Sequence, residues 1–166
     1  MIKTAIIGAS GFLGSYLIKN YRSQYPDCIG TSYSNRSPKL LSFDIKNPNI
    51  KNLNLERTGH KAVIIASYIS KIPKYENELL KACEVNVDGV LKLIKNLSKT
   101  SLKIIFLSSD IVFDGLKGKF NDNYPTVPST VYGKHKKIIE DEIKNLTNNF
   151  LVLRLSKVYG LKKGDK

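Results

Sequence analysis

Apolar residues along this chain gather in two kinds of run. The first kind is short and nearly unbroken: IKTAII at 2–7, KAVIIAS at 61–67, LKIIFLSS at 102–109 and FLVLRLS at 150–156. Such runs predict strands buried on both faces. Two weaker runs, CIGTSY at 28–33 and LLSFDI at 40–45, predict short strands on either side of the polar NRSPK. The second kind has helical spacing. Leu13, Leu17, Ile18 and Tyr21 predict a helix over 12–25, and Leu79, Leu80, Cys83, Val87, Val90, Leu91 and Ile94 predict a long one over 74–99. A third helix is predicted over 129–145, behind a segment at 114–129 whose Gly, Pro and Asn content reads as loop. Strands without alternation, separated by helices, predict an α/β fold with a doubly wound parallel sheet.

Composition narrows the class without changing that picture. A chain of 166 residues suffices for one domain with its own core, so 1–166 is expected to be one domain. No apolar run reaches the length of a membrane span. Gly8 and Gly11 interrupt the N-terminal apolar stretch before a secretory core could form, which makes the cytoplasm the expected location. Cys28 and Cys83 lie far apart with no CxxC spacing and no paired histidines, so neither a disulfide framework nor a metal site is implied. The formal charge is +13, but the excess is lysine scattered through the chain, as in KLIKNLSK and YGKHKK. Nucleic-acid binding would call for clustered arginines among aromatics, so a solvated surface is the expected reading.

Candidate chemistry begins at AIIGASGFLG, residues 5–14, where Gly8, Gly11 and Gly14 sit at the first strand-to-helix crossover. Two readings are open there. The glycines either turn the backbone, or clear room for a pyrophosphate to meet bare N–H groups at the positive end of a helix dipole. The second strand should end on the group that reads the adenosine ribose. It runs into Ser34, Asn35 and Arg36 with no carboxylate, which favours NADP(H), with NAD(H) possible and Arg36 as a plain surface charge the alternative.

Two later segments add reactive groups. SSDIVFDG at 108–115 ends a predicted strand, where open α/β sheets place ligands, and VYGKHK at 131–136 starts a helix that puts Tyr132 and Lys136 on one face. A phenol titrating near pH 10 is a poor proton shuttle at neutrality unless a nearby ammonium stabilises the phenolate. Tyr132 with Lys136 is therefore the candidate acid/base pair, and Ser109 the hydroxyl that would orient a carbonyl oxygen. Asp110 and Asp114 read as turn residues.

Taken in order, these motifs resemble the extended short-chain dehydrogenase/reductase superfamily. SSDIVFDG with PTVPSTVYGKHKKIIE is most similar to its dTDP-4-dehydrorhamnose reductase group, with Phe113, Asp114 and Gly115 where many epimerases have a tyrosine and glycine. The resemblance covers essentially the whole chain and implies a Rossmann-type NAD(P)-binding domain. It implies that Ser10, Phe12 and Leu13 join the glycines at the phosphates and that Asp44 and Ile45 neighbour the adenine. Ala66, Ser67, Tyr68 and Asn86 would lie along the cofactor. Tyr132 would be the acid/base and cofactor neighbour, and Lys136 its partner and nicotinamide-ribose ligand. Arg154 matches an arginine of the family's next strand.

The activity implied is NADP(H)-dependent reduction of a keto group on a nucleotide-linked 4-keto-sugar, as in dTDP-rhamnose biosynthesis. The alternatives are an epimerase or dehydratase with tightly held NAD, or a non-catalytic NADP-binding regulatory subunit. A nucleotide-sugar is the implied partner, without nucleic acid or membrane, and a homodimer is left open. Three departures stand out. VIIASY lacks the asparagine often found before the alanines, His135 replaces a small hydroxyl residue and reads as a surface histidine, and family members continue past LRLSKVYG into a sugar-binding lobe. That lobe is expected to be largely absent here, leaving cofactor binding with weak or absent turnover.

Overall fold

A computed structural model of the chain describes residues 1–34, 37–69, 76–116 and 118–160. Four strands form its centre: β1 (Thr4–Ile7), β4 (Ala62–Ile65), β5 (Lys103–Ser109) and β6 (Phe150–Leu155), all parallel, in the order β1-β4-β5-β6. Two shorter strands, β2 (Thr31–Ser32) and β3 (Leu41–Ser42), pair in parallel with each other. A bridge from Ile6 to Gly30 and a hydrogen bond from the Ala9 N–H to the Thr31 carbonyl join β2 to β1. The full order is thus β3-β2-β1-β4-β5-β6, and the sheet reverses its winding between β1 and β4.

The unbroken apolar runs of β1, β4 and β5 are explained by helices on both faces. Successive strand residues point to opposite sides. Ile6, Ile64 and Leu107 pack with Ile18 of α1 (Phe12–Gln24), whereas Ala5, Ile7, Val63, Ile65, Ile104 and Phe106 pack with α3 (Val90–Leu97) and α4 (Val131–Leu146). From α3 the side chains of Val90, Leu93, Ile94 and Leu97 are all buried, and from α4 those of Ile139 and Ile143. Parallel pairing, helices on both faces and this strand order make the fold a Rossmann-type doubly wound sheet.

Three expectations change. β6, at the end of the strand order, is not buried on both faces: its Leu151 and Leu153 are exposed. β2 and β3 are two residues each rather than six, because after Ser32 and Ser42 the chain leaves the sheet to line the groove described below. The long helix expected over 74–99 is three consecutive pieces, α2 (Glu76–Cys83), a wide π turn over Glu84–Gly89, and α3. A Cβ on Gly89 would lie 2.8 Å from the Ile45 carbonyl oxygen, so the wide turn is where this helix is pressed against the segment after β3. Among the described residues of 114–129 no helix or strand forms, as expected. Phe120 stacks on Phe113 at 4.4 Å with Tyr124 edge-on, giving that loop its own small core.

Candidate active site

The winding reversal leaves a crevice beyond the carboxyl ends of β1 and β4, the place where such sheets take ligands. Two cavities lie along it, of about 370 and 590 Å3, and they share Gly11, Ala66 and Tyr68 as common wall. They form one long groove with a partition at Tyr68.

The three glycines at its centre serve different ends. Gly8 has φ +87°, in the left-handed region, and a Cβ there would come within 2.7 Å of Ser67. At Gly14 a Cβ would stand 2.1 Å from the Gly8 carbonyl oxygen, so this glycine lets α1 pack on β1. Gly11 has neither constraint: its φ is −73° and a Cβ would meet only the Gly8 oxygen, at 3.4 Å. It lines both cavities and is the N-cap of α1, which no side chain caps. Bare amides at a helix start beside an open groove suit an anion. Gly8 and Gly14 are set by the backbone packed against them and Gly11 leaves the helix start open to the groove, so this loop could hold the diphosphate of a dinucleotide.

The smaller cavity is lined by Ser10, Ser34, Asp44, Ile45 and Ser67, all singled out above, and by Thr31 and Ser32. The Thr31 hydroxyl accepts from the Gly8 N–H at 3.2 Å, and the Ser32 hydroxyl donates to that of Ser10 at 3.1 Å. Asp44 turns inward to accept from the Lys46 N–H at 2.9 Å. Asn35 and Arg36, on which the expected NADP(H) preference rests, lie outside the described residues. Asn86 is behind the wall instead of in it. Its buried amide accepts from the Ile69 N–H at 2.8 Å and donates to the Ile69 carbonyl at 3.1 Å, clamping the segment that carries Tyr68.

The larger cavity brings Phe12 and Leu13 of α1 together with Ser109, Tyr132 and Lys136. Ser109 ends β5; its hydroxyl donates to the Asp110 carboxylate at 3.1 Å, and it lines the same cavity as Tyr132. Tyr132 is placed by the start of α4, where the Thr130 hydroxyl caps the Gly133 N–H at 3.0 Å. A Cβ on Gly133 would sit 2.4 Å from the Ile111 carbonyl oxygen, so that glycine sets how closely Tyr132 approaches β5.

Lys136, one turn on, is 4% exposed. Its ammonium donates to the Leu107 carbonyl at 2.7 Å and lies among three rings, at 4.3 Å from the centroid of Tyr68, 4.7 Å from Phe106 and 5.7 Å from Tyr132. Burial pushes the Tyr132 phenol up, opposed by the Ser109 hydroxyl. The lysine is itself desolvated, its pKa driven down to about 7, with the Glu140 charge holding it up.

Three features went unread in the sequence. Ser108 does not merely end a strand: its hydroxyl donates to Glu140 at 2.5 Å, and Glu140 is paired with Arg154 at 2.7 Å. Arg154 also donates to the Asp122 carbonyl and lies 5.0 Å from the Phe113 ring, so its place is structural, behind α4. Glu140 falls one turn beyond Lys136 in YGKHKKIIE, a spacing that could have flagged it. His135 is not a bland surface residue, because it is half-buried with its Nδ1 3.4 Å from the Tyr68 hydroxyl. Among the described residues, no helix is long and apolar enough to cross a membrane.

Comparison with known proteins follows the same geometry. The profile of the RmlD substrate binding domain matches residues 2–165. The chain is 29% identical to a dTDP-4-dehydrorhamnose reductase of Aggregatibacter actinomycetemcomitans, over 96% of this chain and 53% of that protein. It is 28% identical to the methionine adenosyltransferase 2 subunit beta of Bos taurus, over 95% of this chain and 47% of that protein. A crystal structure of dTDP-4-dehydrorhamnose reductase from Bacillus anthracis in complex with NADP superposes with a TM-score of 0.78 at 24% identity, covering 99% of this chain and 57% of that one. The chain spans about half the length of the curated relatives it matches.

Proposed function

The chain belongs to the RmlD substrate binding domain family, and from that premise we propose that it is the cofactor-binding and proton-donating part of an NADP(H)-preferring oxidoreductase acting on a nucleotide-linked 4-keto-sugar. One observation carries the reading: the uncapped start of α1 at Gly11 opens on the same groove as Ser109, Tyr132 and Lys136. Gly11, Phe12 and Leu13 would hold a diphosphate, Ser34, Asp44 and Ile45 would neighbour the adenosine, and Lys136 would face the nicotinamide side. When bound, the nicotinamide supplies the hydride. Ser109 orients the keto oxygen by hydrogen bonding. Tyr132, kept protonated by burial at neutral pH, donates its phenolic proton to that oxygen. Arg36 supplies the cation for a 2′-phosphate.

The test is paired. Calorimetric titration with NADPH and NADH is expected to show saturable binding that favours NADPH. Turnover of a 4-keto-sugar nucleotide, followed by loss of reduced-nicotinamide absorbance in the full-length natural protein, is expected to fall about 10²- to 10⁴-fold in Tyr132→Phe with NADPH affinity kept. No NADPH consumption with any such substrate, and no effect of Tyr132→Phe, would overturn the proposal.

A second reading rests on the resemblance to the beta subunit of methionine adenosyltransferase 2, which is as close as that to the reductase. In it the groove binds the dinucleotide as a structural ligand of a larger assembly. NADPH binding of the same strength with no reduction of any keto-sugar would select it.

A further inference from the structure

We propose that Tyr68 is a positioning residue for the Tyr132–Lys136 pair, latched in place by His135. This deepens the reading above and rests on it only for the role of Lys136. Tyr68 follows β4, and its ring touches both members of the pair: it lies edge-on to Tyr132 at 4.7 Å with an interplanar angle of 67°, and Lys136 Nζ stands 4.3 Å from its centroid. Two holds fix it from opposite sides. Asn86 clamps the main chain one residue later, and His135 meets the phenolic hydroxyl at 3.4 Å. His135 lies on α4 three residues after Tyr132, so one helical turn carries the acid, the latch and the lysine.

The latch matters because the ring is one wall of the ammonium's cage. The groups facing Lys136 are Tyr132 and Glu140 from α4, the Phe106 ring and Leu107 carbonyl from β5, and Tyr68 from the segment after β4; Arg154 of β6 is engaged with Glu140. Rings attract a cation through their faces, but they also keep water from it. Burial outweighs that attraction here, since the lysine's pKa falls from 10.5 to about 7. Removing the Tyr68 wall therefore admits water and keeps the ammonium charged to higher pH. The His135 latch is short of a proton, as burial lowers its pKa, so the ring nitrogen is available to the phenol at neutral pH.

The experiment reads Lys136 directly. In lysine-labelled protein, the Cε resonance of Lys136, assigned by its loss in Lys136→Arg, is titrated by heteronuclear NMR. The expected midpoint is near pH 7 and rises by at least about one unit in Tyr68→Ala. His135→Ser and Tyr68→Phe are each expected to produce a smaller rise of similar size, and the double variant to add nothing, as for two ends of one contact. His135→Gln, which keeps an acceptor, is expected to restore the original midpoint. An unchanged midpoint in Tyr68→Ala, or independent addition of the two latch variants, overturns the proposal. If Tyr68→Ala fails to fold, the latch variants decide alone. Calorimetry with NADPH on the same samples separates the two ideas: absent binding with an intact latch response sinks the cofactor reading and leaves this one standing.

Discussion

Two of the strand-to-helix crossovers, from β1 into α1 and from β5 into α4, are built alike and finished differently. Each helix has glycine at its third position, Gly14 in α1 and Gly133 in α4, and each glycine lets the helix press on a backbone carbonyl, of Gly8 at 2.1 Å and of Ile111 at 2.4 Å from where a Cβ would be. At the N-cap they diverge. Thr130 closes α4 with its own hydroxyl, whereas Gly11 leaves α1 to whatever the groove holds. Shared packing with different caps separates a helix start that positions a side chain, Tyr132, from one that offers its amides to a ligand.

The largest effect expected from probing this contrast is on stability. Gly14→Ala and Gly133→Ala should each cost about 3 kcal/mol or more by denaturant unfolding, since the intruding methyl meets backbone that cannot step aside. Gly11→Ala should cost under about 1 kcal/mol and yet weaken NADPH binding at least tenfold, because its methyl enters open groove. Equal losses of stability at Gly11 and Gly14 would erase the distinction. Next in size, Thr130→Ala should remove about 1 kcal/mol through the lost cap while leaving NADPH affinity unchanged.

The smallest effect is pH-dependent and belongs to the first crossover. His60 is buried, accepts from the Ile29 N–H next to β2 through Nε2, and has its pKa lowered by that burial. A base held neutral by the fold adds stability above its unfolded pKa, about 6.5, and that stability drains as the pH falls through the lower folded value. Unfolding midpoints should thus decline below about pH 6.5. In His60→Gln that part of the decline should vanish. Amide exchange should show β2 loosening first, before the Thr130-capped end of α4.

Much of this contrast could be read from residue order. The buried strands β1, β4 and β5 and helices α1 and α4 lie where unbroken or 3.6-spaced apolar residues demand them; β6 forms where its apolar run predicts a strand, but with Leu151 and Leu153 exposed. The glycine crossover and the meeting of Ser109, Tyr132 and Lys136 followed from motif and strand end. What escaped were contacts between distant segments. The π turn has no periodicity of its own, being set by Gly89 against Ile45 and Asn86 against Ile69. The latch of His135 needed Tyr68, 67 residues earlier, and the sink for Ser108 was Glu140. The cage around Lys136 escaped for a related reason, since helical spacing says who is adjacent but nothing of how deeply the cation is buried.

The π turn also constrains how this scaffold can change length. It accommodates a surplus residue within one continuous helical stretch, so deleting Asn86 would tighten that stretch into plain α geometry, leaving the flanking turns in register but removing the clamp on Ile69. Tyr68 would then drift from the partition it makes in the groove. An insertion or loss that passes unnoticed in a surface loop would here reach the proton donor through three side chains.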